Sequence, residues 1–175
     1  MKVITLGDGL LRQKAKKIEK IDEEIAGISA QMLEILKTDN GIGIAGPQIG
    51  LMKRIFVTFV KGDEARVFIN PSILETSHST CKYEEGCLSV PGIFSNVVRS
   101  EFIKIQAWNE KGRPFTMETG GLLARVILHE YDHLEGVLFI DHIPEKKREK
   151  LVEKYEKAQK SPAAKLPALL DLFPR

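Results

Sequence analysis

Leu122 to Gly136 reads LLARVILHEYDHLEG, and its centre is His129-Glu130-Tyr131-Asp132-His133. Leu122, Val126, His129 and His133 recur at spacings of three and four, so on an α-helix they share one face and the two imidazoles sit a turn apart. That geometry suits one metal ion. Glu130 follows the first histidine directly, where a carboxylate can act as general base for an activated water without being a ligand itself. The pattern H-E-x-x-H therefore predicts metal-assisted hydrolysis. A surface helix that happens to carry two histidines fits less well, because the apolar flanks would bury both rings and oblige them to find partners.

A catalytic centre of this kind needs a third protein ligand and an open position. His78, His142, Cys81, Cys87 and the carboxylates are the available donors. The metzincin continuation H-E-x-x-H-x-x-G-x-x-H fails, since Gly136 fits but Phe139 stands at the last position. A protease using a later glutamate would draw on Glu145, Glu149 or Glu153, which belong to a densely charged helix that solvation explains. A closed structural zinc site, with Cys81 or His142 as fourth ligand, is the non-enzymatic alternative.

The chain has 175 residues at 43% hydrophobic content, enough for one globular domain. Its formal net charge of +2, from 26 basic and 24 acidic side chains, is too balanced for a dedicated nucleic-acid binder. The start, MKVITLGDGLLRQKAKK, lacks the apolar core of a secretory signal, and no run reaches membrane-span length. A cytoplasmic protein with no membrane association is expected. Two cysteines do not make a disulfide framework, which leaves both thiols open to metal or chemistry.

The first twenty residues read as an irregular wrap with a turn at Gly7-Asp8-Gly9. Residues 22–38 form an amphipathic helix with Asp22 as cap and Asn40-Gly41 as stop. GIGIAGPQIG, residues 41–50, reads as a glycine-rich connector between helix and strand in which the backbone can approach a ligand. Two hairpins are expected. One joins Arg54–Val60 to Arg66–Asn70, with Pro71 ending the second run, and the other joins Phe102–Trp108 to Pro114–Glu118. Residues 82–92 hold too many turn formers for a helix. Pro144 opens a last helix to about Lys160 with Leu151, Val152, Tyr155 and Ala158 as its apolar stripe. Its Lys146-Lys147-Arg148 reads more simply as a solvated face than as an RNA contact. The tail from Ser161 breaks periodicity, with Leu166, Leu169 and Leu170 able to dock.

Taken together, GIGIAGPQIG, EEGCLSVPG and HEYDH resemble the three ordered motifs of the peptide deformylase family, over about residues 1–160. The resemblance implies an α+β fold in which antiparallel β-sheets pack around a central metal-binding helix, flanked by N-terminal and C-terminal helices. It implies one catalytic domain at 1–160, with 161–175 as a proline-containing tail outside it. Cys87 becomes the third ligand beside His129 and His133, and Glu130 the general base. One divalent ion is implied, Fe2+ in the native state, with Zn2+, Ni2+ or Co2+ as substitutes. The implied reaction removes the formyl group from the N-terminal formyl-methionine of nascent polypeptides and releases formate. Matching positions give Gln48 a side-chain amide and Leu88 a backbone N–H toward the oxyanion. Ile42, Leu122 and Val126 would line the methionine pocket, and Gly43 would pair its backbone with the extended substrate.

The C-terminal helix is the candidate surface for a ribosome contact, with the solvated face as its simpler reading. Two positions depart from the family pattern. Gly46 replaces a more usual alanine and is expected to add freedom beside Gln48. Arg125 stands where an apolar pocket residue is expected, so its guanidinium would close the pocket rim or attract an acidic chain. Glu85 and Asp132 are candidates for orienting the histidines, with surface salt bridges as the alternative. Cys81 reads as an inert buried thiol.

Overall fold

Asp22 caps the first helix by accepting a hydrogen bond from Ile25 N–H at 3.3 Å, and Asn40 stops it in the left-handed region at φ 52°. In the computed structural model, which describes residues 2–160, that helix is α1 (Glu23–Asp39). The strands are β1 (Gly43–Ala45), β2 (Ile55–Thr58), β3 (Arg66–Thr76), β4 (Thr80–Cys87), β5 (Val90–Ser100), β6 (Phe102–Trp108) and β7 (Pro114–Gly120). Two further helices follow, α2 (Gly121–Leu134) and α3 (Glu145–Lys160). The tail expected from Ser161, with its docking leucines, lies outside the described residues.

An antiparallel five-stranded sheet runs β1-β2-β3-β6-β7, and β4 pairs with β5 as a separate two-stranded sheet. Strand alternation divides the core between two helices. Ile55, Val57, Val67 and Ile69 face a cluster with Ile25, Met32 and Leu36 of α1. Phe56 and Phe68 face the other way, stacked with centroids 4.6 Å apart, against Ala124, Ile127 and Leu134 of α2. Each fully buried large apolar side chain of this kind contributes about 1.5–3 kcal/mol. The helix that carries the histidines is therefore clamped along its apolar side by the sheet.

The N-terminal wrap fastens the segments that bear the site. Ile4 N–H donates to Gln48 O at 2.8 Å, Leu6 N–H to Ser89 O at 2.7 Å, and Ala15 N–H to Leu134 O at 2.8 Å. The glycine-rich connector is more ordered than its composition suggests, forming β1 and then a short 3-10 turn at Gly46–Ile49.

Two expectations need correction, and one gains detail. Pro71 does not end a strand: β3 continues to Thr76 across a register shift between Ile69 and Ser72. Asn70 there has φ 48°, and its side chain pairs with both backbone groups of Ile18 at 2.8 Å. A proline at such a bulge lacks only an N–H that the ladder does not use. Residues 82–92 form no helix, as expected, and most of them lie in the β4–β5 hairpin, whose alternation is hidden by the bulge at Gly86 and by the single covered face of β4. Ala158 is exposed, so the apolar stripe of α3 consists of Leu151, Val152 and Tyr155 against the β5 cluster.

Candidate metal centre

The end of β4 brings Cys87 to the face of α2 that carries His129 and His133. One donor atom from each residue lies within 4.8 Å of the others, and all three residues are buried. Cys87 Sγ is 3.2 Å from His133 Nε2. His129 Nδ1 meets Glu85 Oε2 at 2.9 Å, which leaves Nε2 as its free donor. His133 Nδ1 and Glu130 Oε2 are buried with no hydrogen-bond partner among the described residues. A thiolate and two imidazoles form a soft-to-borderline donor set suited to one transition-metal ion, so the group fits the ion that the sequence implies.

Burial opposes ionisation of Cys87, yet the charges of His133 and His129 and their hydrogen bonds hold its thiol well below the usual range. His129 is also buried, but contact with Cys87 and Glu85 raises its affinity for a proton well above the ordinary imidazole value. These contacts favour the thiolate of Cys87, the form of cysteine that binds metal.

Glu85 is no surface salt bridge. It is 5% exposed, and Arg99 meets it with two hydrogen bonds at 2.6 and 3.0 Å. Burial penalises its charge, but His129 and Arg99 hold the carboxyl well below its ordinary value. Asp132 does not orient either ligand histidine; it accepts from Arg99 at 2.8 Å and pairs with His142 Nε2 at 2.7 Å. Arg125 is not a free charge at the pocket rim. It is 5% exposed and donates to Glu85 at 2.6 Å, Val97 O at 3.1 Å and Cys81 O at 2.8 Å.

Glu130 occupies the same face of α2, and burial pushes its pKa up to about 7. A carboxyl with that value can hold or release a proton near neutrality. Gln48 is 1% exposed and oriented through both ends of its amide. Its Oε1 accepts from Ala45 N–H at 2.7 Å, while Nε2 lies 3.4 Å from Cys87 Sγ and 3.3 Å from Ser89 Oγ. Leu88 occupies the turn between the paired residues Cys87 and Val90. The structure thus gathers Cys87, Leu88, Gln48, His129, Glu130 and His133 into one place.

One pocket opens onto this group, and Ile42, Gly43, Leu122 and Val126 all line it. Gly43 is fixed by contact: a Cβ there would fall 2.5 Å from Glu130 Oε1 and 2.7 Å from Val126 Cγ1. Gly46 does not supply freedom as expected. A Cβ at that position would meet the carbonyl oxygens of Leu51 and Lys53 at 2.7 and 2.9 Å, so close packing of the turn excludes a side chain.

The competing ligands lie elsewhere. Cys81 is half-buried rather than buried, with Sγ 3.2 Å from Arg125 Nη2, and His142 is committed to Asp132. Glu145, Glu149 and Glu153 are exposed on α3. Sequence reasoning missed Phe94 and Tyr83 on the pocket wall, Ser89 behind Gln48, and Arg99. A signal for Arg99 existed, since it continues the buried alternation Ser95, Val97 along β5, and a buried guanidinium demands a carboxylate.

An α+β fold with a thiolate, two helical imidazoles and an adjoining buried carboxylate on one pocket defines a mononuclear metallohydrolase type of centre. Comparison with known proteins then identifies the lineage: the polypeptide deformylase family model matches residues 1–149, and the chain belongs to that family. The peptide deformylase of Clostridium botulinum (strain Alaska E43 / Type E3) is 49% identical over 140 residues, covering 80% of this chain and 94% of that protein. The Borreliella burgdorferi peptide deformylase is 44% identical over 156 residues, covering 89% and 94%. Among solved structures, the Legionella pneumophila peptide deformylase superposes with a TM-score of 0.85 at 37% identity, covering 90% of this chain and 94% of that one. The Synechococcus elongatus enzyme in complex with actinonin gives 0.85 at 38% identity, covering 89% and 86%.

Proposed function

We propose that this protein hydrolyses the formyl group from the N-terminal formyl-methionine of newly made polypeptides, giving formate and a free amine. The observation that carries this reading is the convergence of Cys87, His129 and His133 with Glu130 and Gln48 on one pocket. Cys87, His129 and His133 would hold one divalent ion. Bound there, the ion supplies Lewis acidity, which makes a water acidic enough to lose its proton near pH 7.

Glu130 takes the proton of the attacking water and delivers it to the amine nitrogen as the formyl C–N bond breaks. Gln48 Nε2–H and the Leu88 N–H donate to the oxyanion of the tetrahedral intermediate. Loss of one such donor typically costs about 100- to 1,000-fold in rate. Ile42, Leu122 and Val126 enclose the methionine side chain, and the Gly43 backbone pairs with the extended chain that follows it.

Ferrous iron is the native ion in this proposal, with zinc, nickel or cobalt able to replace it, because the donor set accepts each of them. Residues 1–160 are the catalytic unit in this proposal. In this proposal the protein works in the cytoplasm, where chains are made, and any contact with the ribosome runs through α3, whose exposed face mixes Lys146, Lys147 and Lys150 with Glu145 and Glu149. No described helix is long and apolar enough to cross a membrane. The decisive assay offers a formyl-Met peptide. Release of formate without internal cleavage is expected, and peptide-bond cleavage with no formate would reject the reading.

A further inference from the structure

We propose that Arg125 is a positioning residue that sets the β4–β5 hairpin against α2 and thereby fixes Cys87 relative to the two histidines; this rests on the ligand set proposed above. Cys87 comes from a hairpin and His129 and His133 from a helix, so their mutual placement depends on what joins the two elements. Arg125 lies one turn before His129 on α2, and its guanidinium spans both strands of the hairpin. Nη2 donates to Cys81 O on β4 at 2.8 Å, and Nη1 to Val97 O on β5 at 3.1 Å. The same Nη1 donates to Glu85 Oε1 at 2.6 Å, while Glu85 Oε2 holds His129 Nδ1 at 2.9 Å.

One side chain thus acts on two things at once: it shares with Arg99 the hold on the carboxylate that orients His129, and it ties the strand bearing Cys87 to the helix bearing the two histidines. Arg99 ties the elements in the opposite direction, from β5 to Asp132 of α2, and meets Glu85 through Nε and Nη2. Among the described residues Arg99 donates to carboxylates alone, so it does not replace the grip of Arg125 on Cys81 O and Val97 O. The planar fork of an arginine suits this task, because its donors reach several acceptors in fixed directions. Partners of metal-binding histidines typically change metal affinity about 10- to 100-fold when removed.

The test titrates Co2+ into metal-free protein and follows the thiolate-to-cobalt charge-transfer absorption together with the visible bands that report ligand geometry. Arg125→Leu should bind Co2+ about 10- to 100-fold more weakly than the parent chain, with altered visible bands. Arg125→Lys, which keeps a charge on Glu85 but cannot reach both carbonyls, should lie between them. A purely structural arginine would lower the thermal midpoint of the metal-free protein and leave the Co2+ affinity and spectrum unchanged; that result for folded Arg125→Leu overturns the proposal. If Arg125→Leu does not fold, parental affinity and spectrum in Arg125→Lys overturn it equally. A parent chain that shows no thiolate-to-cobalt band instead contradicts the ligand set itself, and the two failures are separate.

Discussion

Gly43 approaches Glu130 so closely that a Cβ on Gly43 would stand 2.5 Å from Glu130 Oε1. The strand expected to pair with substrate and the carboxylate expected to move the proton are thus in direct contact. Gly43→Ala should push Glu130 from its place and lower kcat about 100-fold, the scale of an ångström-sized misplacement. Overpacking should also cost about 1–3 kcal/mol of stability. Metal content should remain at one ion per chain, because the atoms nearest the added Cβ belong to Glu130 and Val126 rather than to the proposed ligands. Steady-state kinetics with metal analysis checks both halves; a variant with parental kcat would refute the contact's importance.

Glu130→Gln should retain the metal and lose about 100- to 10,000-fold in turnover, since an amide can hydrogen-bond water but cannot accept its proton. Near-parental turnover in a metal-loaded variant would remove Glu130 as the base.

Gln48→Ala should reduce kcat about 100- to 1,000-fold with a small effect on KM, because its amide donor is strongest toward an oxyanion. The same change leaves the buried Ala45 N–H without its acceptor at 2.7 Å, so a stability loss of about 1–3 kcal/mol should accompany it. A change confined to KM would contradict the oxyanion role.

Much of this arrangement was legible because helical periodicity does not depend on distant partners. Leu122, Val126, His129 and His133 fall on one face from spacing alone, and Asp22 and Asn40 mark the ends of α1 by local chemistry. The β4–β5 hairpin was not legible, since a strand with one covered face and a bulge at Gly86 carries little alternation. Arg125 illustrates the same limit at the site. Its position on α2 can be read from spacing, but its partners Glu85, Cys81 and Val97 come from another sheet, and only tertiary packing turns the guanidinium toward them. Gly46 was misread because glycine suggests conformational freedom, whereas here the carbonyls of Leu51 and Lys53 leave no room for a Cβ.

Preparation in air should inactivate the iron-loaded protein through oxidation of the metal or of the Cys87 thiolate, while nickel-loaded protein should keep its activity longer. Parallel purification under air and under nitrogen, with activity normalised to metal content, measures this. Equal decay of all metal forms in both atmospheres would argue against iron as the vulnerable species.

Cys87, and not Cys81, is the proposed third ligand beside His129 and His133. Metal content per chain, measured on purified Cys87→Ala and Cys81→Ala, tests this assignment most directly. Cys87→Ala should lose stoichiometric metal, and Cys81→Ala, whose side chain lies outside the candidate ligand group, should keep one ion per chain. Tight binding of one ion by Cys87→Ala through the two histidines, or loss of metal in both variants, would contradict it.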